Sequence, residues 1–332
     1  MEIIQSLILT DDGLHLADVP IPSLLPGEIK IEVRYVGLCG TDVSIWKGDH
    51  NVNLPLVLGH EFTGVIHQST IPQFKVGSLV TAETAISCGS CWYCTNNMTR
   101  HCKKRETLGI TTDGALSEFL TVPSEIVHVL PPDIDSVSGT FVEPIASAIQ
   151  TRIKTPVDDG EPMVIIGCGK LGLIIAQVYD AVGAEVYLLD KNPWKLGLAK
   201  QLGFRRTIDV TTADWSSAIL DETYGVGPRV VVEATGTAKG LDMALDIVRN
   251  NGVIALKSKH SDRSSIDPSQ LAAREVQLQG SADGPFDIAI DMLNKGRIEV
   301  KRLVTKHFPL EDSQKAFEYA AKPDVNKVII GI

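Results

Sequence analysis

Nowhere does this sequence carry the apolar run of roughly 20 residues that a membrane-spanning helix needs. Even IIAQVYDAVG is broken by Asp180. The opening stretch, MEIIQSLILTDDG, lacks a basic n-region and a long apolar segment, so no secretory signal is expected. Positive charge is the scarcer sign: 31 Lys and Arg stand against 41 Asp and Glu, a formal net charge of −10. Binding a phosphate backbone needs a clustered positive surface, so nucleic acid is not an expected partner. Internal repeats and low-complexity segments are also missing. The expectation is a soluble, cytoplasmic protein, in which the triplet Asn97-Met98-Thr99 is a chance match to a glycosylation site.

At 332 residues the chain is too long for one compact core and suggests two domains; 44% hydrophobic and 22% charged residues are an ordinary globular balance. Up to about Val129, short alternating runs such as EIKIEVRYV, VGSLVTAE and ALSEFLTV are punctuated by Gly and Pro. These suit the strands of a barrel-like domain. Near residue 150 the texture changes. MVIIGCG reads as a buried strand, GKLGLIIAQVYDAVG as a helix, AEVYLLD as a strand and NPWKLGLAKQLG as a helix. The rhythm continues through RVVVEATG, GLDMALDIVRN, NGVIALKS and EVQLQGS. Such alternation argues for βαβ units and a parallel sheet covered on both faces. FDIAIDMLNKG, EDSQKAFEYAA and KVIIGI then follow, and these could rejoin the first domain.

Cysteine is sparse, and its placement is informative. Four of the six fall in CGSCWYCTNNMTRHC as Cys88, Cys91, Cys94 and Cys102, a C-x2-C-x2-C-x7-C spacing. In a reducing compartment this reads as a metal site. Four thiolates close a tetrahedron around Zn²⁺ and leave no open position, so the expected ion is structural. A redox cluster and a nucleic-acid-binding zinc knuckle are the alternatives, and the acidic net charge counts against the second.

In VIIGCGKLGL, Gly167, Gly169 and Gly172 form G-x-G-x-x-G after a strand and at the start of a helix. Asp190 ends the next strand 18 residues after Gly172. The glycines permit a tight turn and close approach of backbone to a pyrophosphate, whose charge meets the helix N-terminus. Asp190 suits ribose hydroxyls and would repel a 2′-phosphate, which favours NAD over NADP. Cys168, between the glycines, reads as a small buried residue. A second donor set comes from GLCGTD and LGHEFTG: Cys39, His60 and Glu61, with Glu143 further on in TFVEPIA. Three protein ligands and one open position are the composition of a catalytic zinc, but spacing alone does not unite these residues.

In their order along the chain, GLCGTD, LGHEFTG, the four-cysteine lobe, the Val-Glu-Pro of 142–144 and the glycine fingerprint resemble the zinc-containing medium-chain dehydrogenase/reductase superfamily, which includes alcohol, sorbitol and threonine dehydrogenases. The resemblance covers essentially the full length. It implies an α/β protein: a GroES-like β-barrel catalytic domain of residues 1–147 and 283–332, with the zinc lobe at 88–102, and a Rossmann doubly wound parallel sheet of 148–282 that binds NAD. It implies two zinc ions, with Cys39, His60, Glu61 and Glu143 around the catalytic one and Asp42 orienting His60.

By the same resemblance Gly167, Gly169, Leu171 and Gly172 contact the nucleotide. Lys195 belongs to the adenosine ribose, and Lys327 is a C-terminal cation near the pyrophosphate. Glu143 stands where simple alcohol dehydrogenases have cysteine, which points to NAD-linked oxidation of a secondary alcohol or polyol. Thr41 would receive the hydroxyl proton. The histidine that often follows in the relay is Ser44 here, leaving His50 or water to continue it. Trp46 reads either as a residue near the substrate or as a core or rim tryptophan, and Thr84 and Ala85 are expected near the substrate. The lysines of KSK (257–259) read as a solvated loop, with attraction for an anionic substrate or cofactor phosphate as the option.

A sugar-phosphate or simple alcohol dehydrogenase and a non-catalytic NAD-binding regulator remain open; a zinc-independent enoyl or quinone reductase would lack both cysteine sets. A homodimer or homotetramer is implied by resemblance only.

Overall fold

The structure, a computed structural model, describes residues 2–212, 214–258 and 265–332. It divides into two units: residues 1–143, 286–295 and 303–332 form the first, and 144–285 with 296–302 the second. The segment 296–302 groups with the second unit, where Glu299 exchanges hydrogen bonds with the Gln177 amide (2.6 and 3.1 Å) and Arg302 donates to the Gln201 carbonyl at 2.9 Å.

The first unit is built around the strand Glu28–Gly37. Its alternation puts Ile29, Ile31 and Val33 on the core side, none more than 2% exposed. This strand pairs antiparallel with three others: Glu61–Ser69, Phe119–Pro123 and Lys327–Gly331. Its register with Glu61–Ser69 shifts at Lys30/Ile31 and at Val33/Tyr35, irregularities of the kind that bend a sheet toward closure. Phe62, Leu58, Leu116 and Phe317 fill the interior. Each such side chain, fully buried, stabilises by about 1.5–3 kcal/mol. A separate three-stranded sheet is formed by Gly13–Pro20, Ile3–Thr10 and Leu56–Val57.

In the second unit six strands run parallel, side by side in the order Thr207–Asp209, Glu185–Asp190, Pro162–Ile166, Val230–Glu233, Val253–Leu256 and Gln277–Gly280. Counted along this unit, that is strand order 3-2-1-4-5-6, the Rossmann arrangement. The order reverses direction between Pro162–Ile166 and Val230–Glu233. Met163 to Ile166 and Val230 to Val232 are buried throughout, which explains their unbroken apolar runs. The strand Thr207–Asp209 and the helix Trp215–Glu222 complete the alternation, although both are too short or too polar to stand out in the sequence.

Candidate active site

Cross-strand register assembles the first donor set. Gly37 lies opposite Glu61 in the antiparallel pair, so the residues just beyond one strand end and just before the other, Cys39 and His60, arrive side by side. Helix Gly40–Trp46 starts from Cys39 as its N-cap, and Asp42 closes the capping box by accepting from Cys39 N at 2.7 Å. The other Asp42 oxygen accepts from Gly59 N at 3.2 Å and lies 3.3 Å from His60 Nδ1. One buried carboxylate thus fixes both loops.

The Cys39 thiol, a His60 nitrogen and a Glu61 carboxylate oxygen lie within 4.8 Å of one another. With Nδ1 turned to Asp42, Nε2 is the nitrogen presented to a metal. Sulfur, nitrogen and oxygen from three residues fit a zinc ion that keeps a fourth position open. Burial opposes the imidazolium, but Asp42 and Cys39 outweigh it and hold His60 well above its usual range.

Behind this set lies Lys327, fully buried, with its ammonium in an ion pair with Glu61 and 5.3 Å from the centre of the Phe141 ring. Burial pushes it down to about 7, although Cys39 and Asp42 pull the other way. A β-carbon at Gly37 would meet the end of the Lys327 side chain, so glycine there leaves room for the buried ammonium.

The second set is a knot of four thiols. Sγ–Sγ separations are 3.5 Å for Cys91–Cys94, 3.8 Å for Cys91–Cys102 and 4.0 Å for Cys88–Cys94. A tetrahedral ion with Zn–S bonds of about 2.3 Å would space its sulfurs by about 3.8 Å. The N–H groups of Cys88 and Lys104 donate to Cys102 Sγ at 3.4 and 3.3 Å. Backbone and hydroxyl donors bring Cys88 down to about 6, while partial burial and neighbouring thiols push Cys94 up to about 11. Four sulfurs at these separations could hold one metal ion, which would bind them as thiolates.

In the second unit, Gly167 has φ +106°, and a β-carbon there would stand 2.7 Å from the Ala234 carbonyl oxygen. A β-carbon at Gly172 would strike the Gly167 carbonyl oxygen. Helix Lys170–Asp180 starts at Gly169 with no side-chain cap, and such a helix N-terminus suits pyrophosphate oxygens. Asp190 accepts from Cys168 N at 2.7 Å and from Asn192 N at 2.9 Å, holding the glycine turn against the end of its own strand.

Residues 25–132 match the profile of the alcohol dehydrogenase GroES-like domain, and residues 171–295 that of the zinc-binding dehydrogenases. The chain is 30% identical to a sorbitol dehydrogenase of Halalkalibacterium halodurans, over 98% of both chains. It is 29% identical to a D-arabitol-phosphate dehydrogenase of Enterococcus avium, over 96% of this chain and 94% of the relative. The chain belongs to the zinc-containing medium-chain dehydrogenase/reductase superfamily. It is therefore an oxidoreductase acting on CH–OH groups with zinc and a nicotinamide dinucleotide. A zinc-binding dehydrogenase from Sinorhizobium meliloti 1021, solved with NADP, superposes with a TM-score of 0.94 at 26% identity, all of both chains covered.

Among the residues expected in such a dehydrogenase site, the structure joins Cys39, His60 and Glu61, with Asp42 behind them and Thr41 half-buried on the first turn of the adjoining helix. Glu143 stays outside the converging donors: it sits half-buried on the first turn of helix Val142–Lys154, at the last residue of the first unit. Lys327 departs from expectation. Its strand carries it into the barrel beside Glu61, and the ammonium is enclosed there instead of being offered to a pyrophosphate.

Ser44 is half-buried and His50 exposed. Trp46 packs its ring 5.8 Å from Phe317 on the barrel core. Thr84 and Ala85 are buried, and Ala85 pairs with Thr107 in a short strand ladder. Cys168 is fully buried, and burial pushes its thiol far up, against a smaller pull from Lys195.

Lys257 is also buried, with its ammonium among backbone carbonyls; Lys259 lies outside the described residues. Missed in the sequence were the Lys327–Glu61 pair and the buried carboxylate of Glu233. Only the placement of Lys327 on an otherwise apolar terminal strand hinted at the first.

Proposed function

We propose that this chain is a zinc- and NAD-dependent dehydrogenase that interconverts a secondary alcohol or polyol and its ketone. The observation that carries the reading is the convergence of Cys39, His60 and Glu61 within 4.8 Å, three donors of three chemistries, beside a separate knot of four thiols. Residues 1–147 and 283–332 are assigned to catalysis and 148–282 to the nucleotide. One zinc belongs to Cys39, His60 and Glu61, with Glu143 as the alternative carboxylate, and a second to Cys88, Cys91, Cys94 and Cys102. A bound zinc would supply Lewis acidity to an alcohol hydroxyl, and a bound nicotinamide would supply the acceptor for the hydride lost by the carbon bearing that hydroxyl.

The chain's own residues do the rest. Asp42 holds His60 in one orientation and tautomer. Thr41 Oγ1 accepts the hydroxyl proton and hands it outward past Ser44. Gly167, Gly169, Leu171 and Gly172 lay backbone against the pyrophosphate. Asp190 accepts from the ribose hydroxyls, assisted by Lys195, and its charge disfavours a 2′-phosphate; the NADP of the Sinorhizobium meliloti relative belongs to that protein.

With Lys257 engaged by carbonyls, the lysine that suggested an anionic substrate is otherwise occupied, and an unphosphorylated polyol is the better-supported choice. Oligomerisation fits the strand Gln277–Gly280, which has a neighbouring strand on one side only among the described residues; a homodimer or homotetramer is assigned on this ground. A cytoplasmic setting suits six cysteines that form no disulfide, and no described helix is long and apolar enough to cross a membrane.

NAD reduction against a panel of polyols, secondary alcohols, amino alcohols and sugar phosphates tests the reading. It is supported by turnover of a free polyol that falls about 100-fold in Thr41→Val with zinc retained. Wild-type turnover in Thr41→Val would remove Thr41 from the proton path.

A further inference from the structure

Lys257 and Ser258 follow the strand Val253–Leu256 at the carboxyl edge of the parallel sheet, and their side chains turn to different neighbours. Lys257 is 8% exposed. Its Nζ donates to the Ser147 carbonyl at 2.9 Å and reaches the carbonyls of Ala282 and Ser281 at 3.3 and 3.5 Å and Ser281 Oγ at 3.4 Å. Ser281 and Ala282 come directly after the strand Gln277–Gly280. Ser258 Oγ instead donates to the carboxylate of Glu233, the last residue of the strand Val230–Glu233.

Glu233 is 2% exposed and also accepts from Thr235 N at 2.7 Å and Thr235 Oγ1 at 2.6 Å. Thr235 Oγ1 in turn lies 2.9 Å from Thr237 Oγ1, the N-cap of helix Ala238–Ile247. Through Ala234, the same turn backs onto Gly167 of the glycine loop.

A buried ammonium is costly unless its donors are matched, and here carbonyls match them. The lysine acts as an internal tie. Together the two residues join the carboxyl ends of three neighbouring strands: Ser258 reaches one side, Lys257 the other. In an open parallel sheet ligands lie outside these ends, across the point where strand order reverses. Asp190 stands on one side of that reversal; the three tied strands are on the other.

We propose that Lys257 and Ser258 are positioning residues for the nicotinamide half of the bound dinucleotide, holding the strand ends on which that half rests. The proposal depends on the dehydrogenase reading. A loosened edge must be re-ordered on binding, which weakens affinity for the half it supports.

The test is calorimetric titration of zinc-loaded wild type, Lys257→Met and Ser258→Ala with NADH and with ADP-ribose, which lacks the nicotinamide. Each variant is expected to bind NADH about tenfold more weakly, the scale of re-fixing one or two ordered side chains, while ADP-ribose affinity stays within about twofold. Equal losses for both ligands would make the tie a general structural feature or a pyrophosphate contact, and no loss would make it irrelevant to binding; either overturns the proposal. Should Lys257→Met fail to fold, Ser258→Ala decides by the same criterion. Wild-type protein that binds neither ligand overturns the dehydrogenase reading itself.

Discussion

Asp42 Oδ1 lies 3.3 Å from His60 Nδ1, and neither side chain is more than 6% exposed. Because the same carboxylate also accepts from Cys39 N and Gly59 N, it orients both loops that supply the proposed zinc ligands. Asp42→Asn keeps the shape but surrenders the charge and one acceptor. It is expected to weaken the catalytic zinc by about 10–100-fold, read by competition with a fluorescent chelator, while the four-thiol zinc is unaffected. Unchanged affinity would show that His60 needs no such support.

Asp190 is tied to the glycine turn through Cys168 N at 2.7 Å. Asp190→Ala removes both the proposed ribose acceptor and this brace. The ratio of kcat/KM for NAD to that for NADP is expected to fall by about tenfold or more, mostly through a higher KM for NAD, since each lost charge-assisted hydrogen bond is worth about 1.5–3 kcal/mol. A wild-type protein that prefers NADP from the outset would contradict the assignment of Asp190.

Glu161 and Arg229 form a doubly hydrogen-bonded ion pair, with both contacts at 2.6 Å. Burial alone would raise the Glu161 carboxyl, but the guanidinium and the Asp158 N–H outweigh it and hold it below its usual value. A carboxyl lowered in the folded state stabilises above its unfolded value and loses that contribution as pH falls through the folded one. Glu161→Gln should therefore cost about 2 kcal/mol at pH 7. The difference from wild type should shrink steadily below about pH 4.5 in urea melts. A pH-independent difference would mean that the pair acts through packing alone.

Much of this site was legible in the sequence because its chemistry is local. The four cysteines sit on one loop, and the glycines and Asp190 on one strand–turn–helix–strand passage. Strand runs such as MVIIG were readable because the parallel sheet is covered on both faces.

What spacing alone left open was the union of Cys39 with His60. Twenty-one residues separate them in the chain, and a cross-strand register, Gly37 opposite Glu61, closes the gap. Lys327 was placed with the nucleotide for the same reason, since its partner Glu61 is 266 residues away and meets it only through strand pairing. Lys257 was read as a charge for solvent or substrate. Carbonyls of two segments that the sequence does not show together, Ser147 and Ser281-Ala282, enclose it instead.

The most direct test of the account is a zinc count by atomic emission on wild type, Cys39→Ser and Cys88→Ser, with NAD-linked polyol oxidation measured on the same samples. Two ions per chain are expected in wild type. Cys39→Ser should keep only the thiol-knot ion, with a native melting profile and no turnover; Cys88→Ser should lose the thiol-knot ion and melt at lower temperature. One ion in wild type, or full turnover in Cys39→Ser, would contradict a catalytic metal held by Cys39, His60 and Glu61.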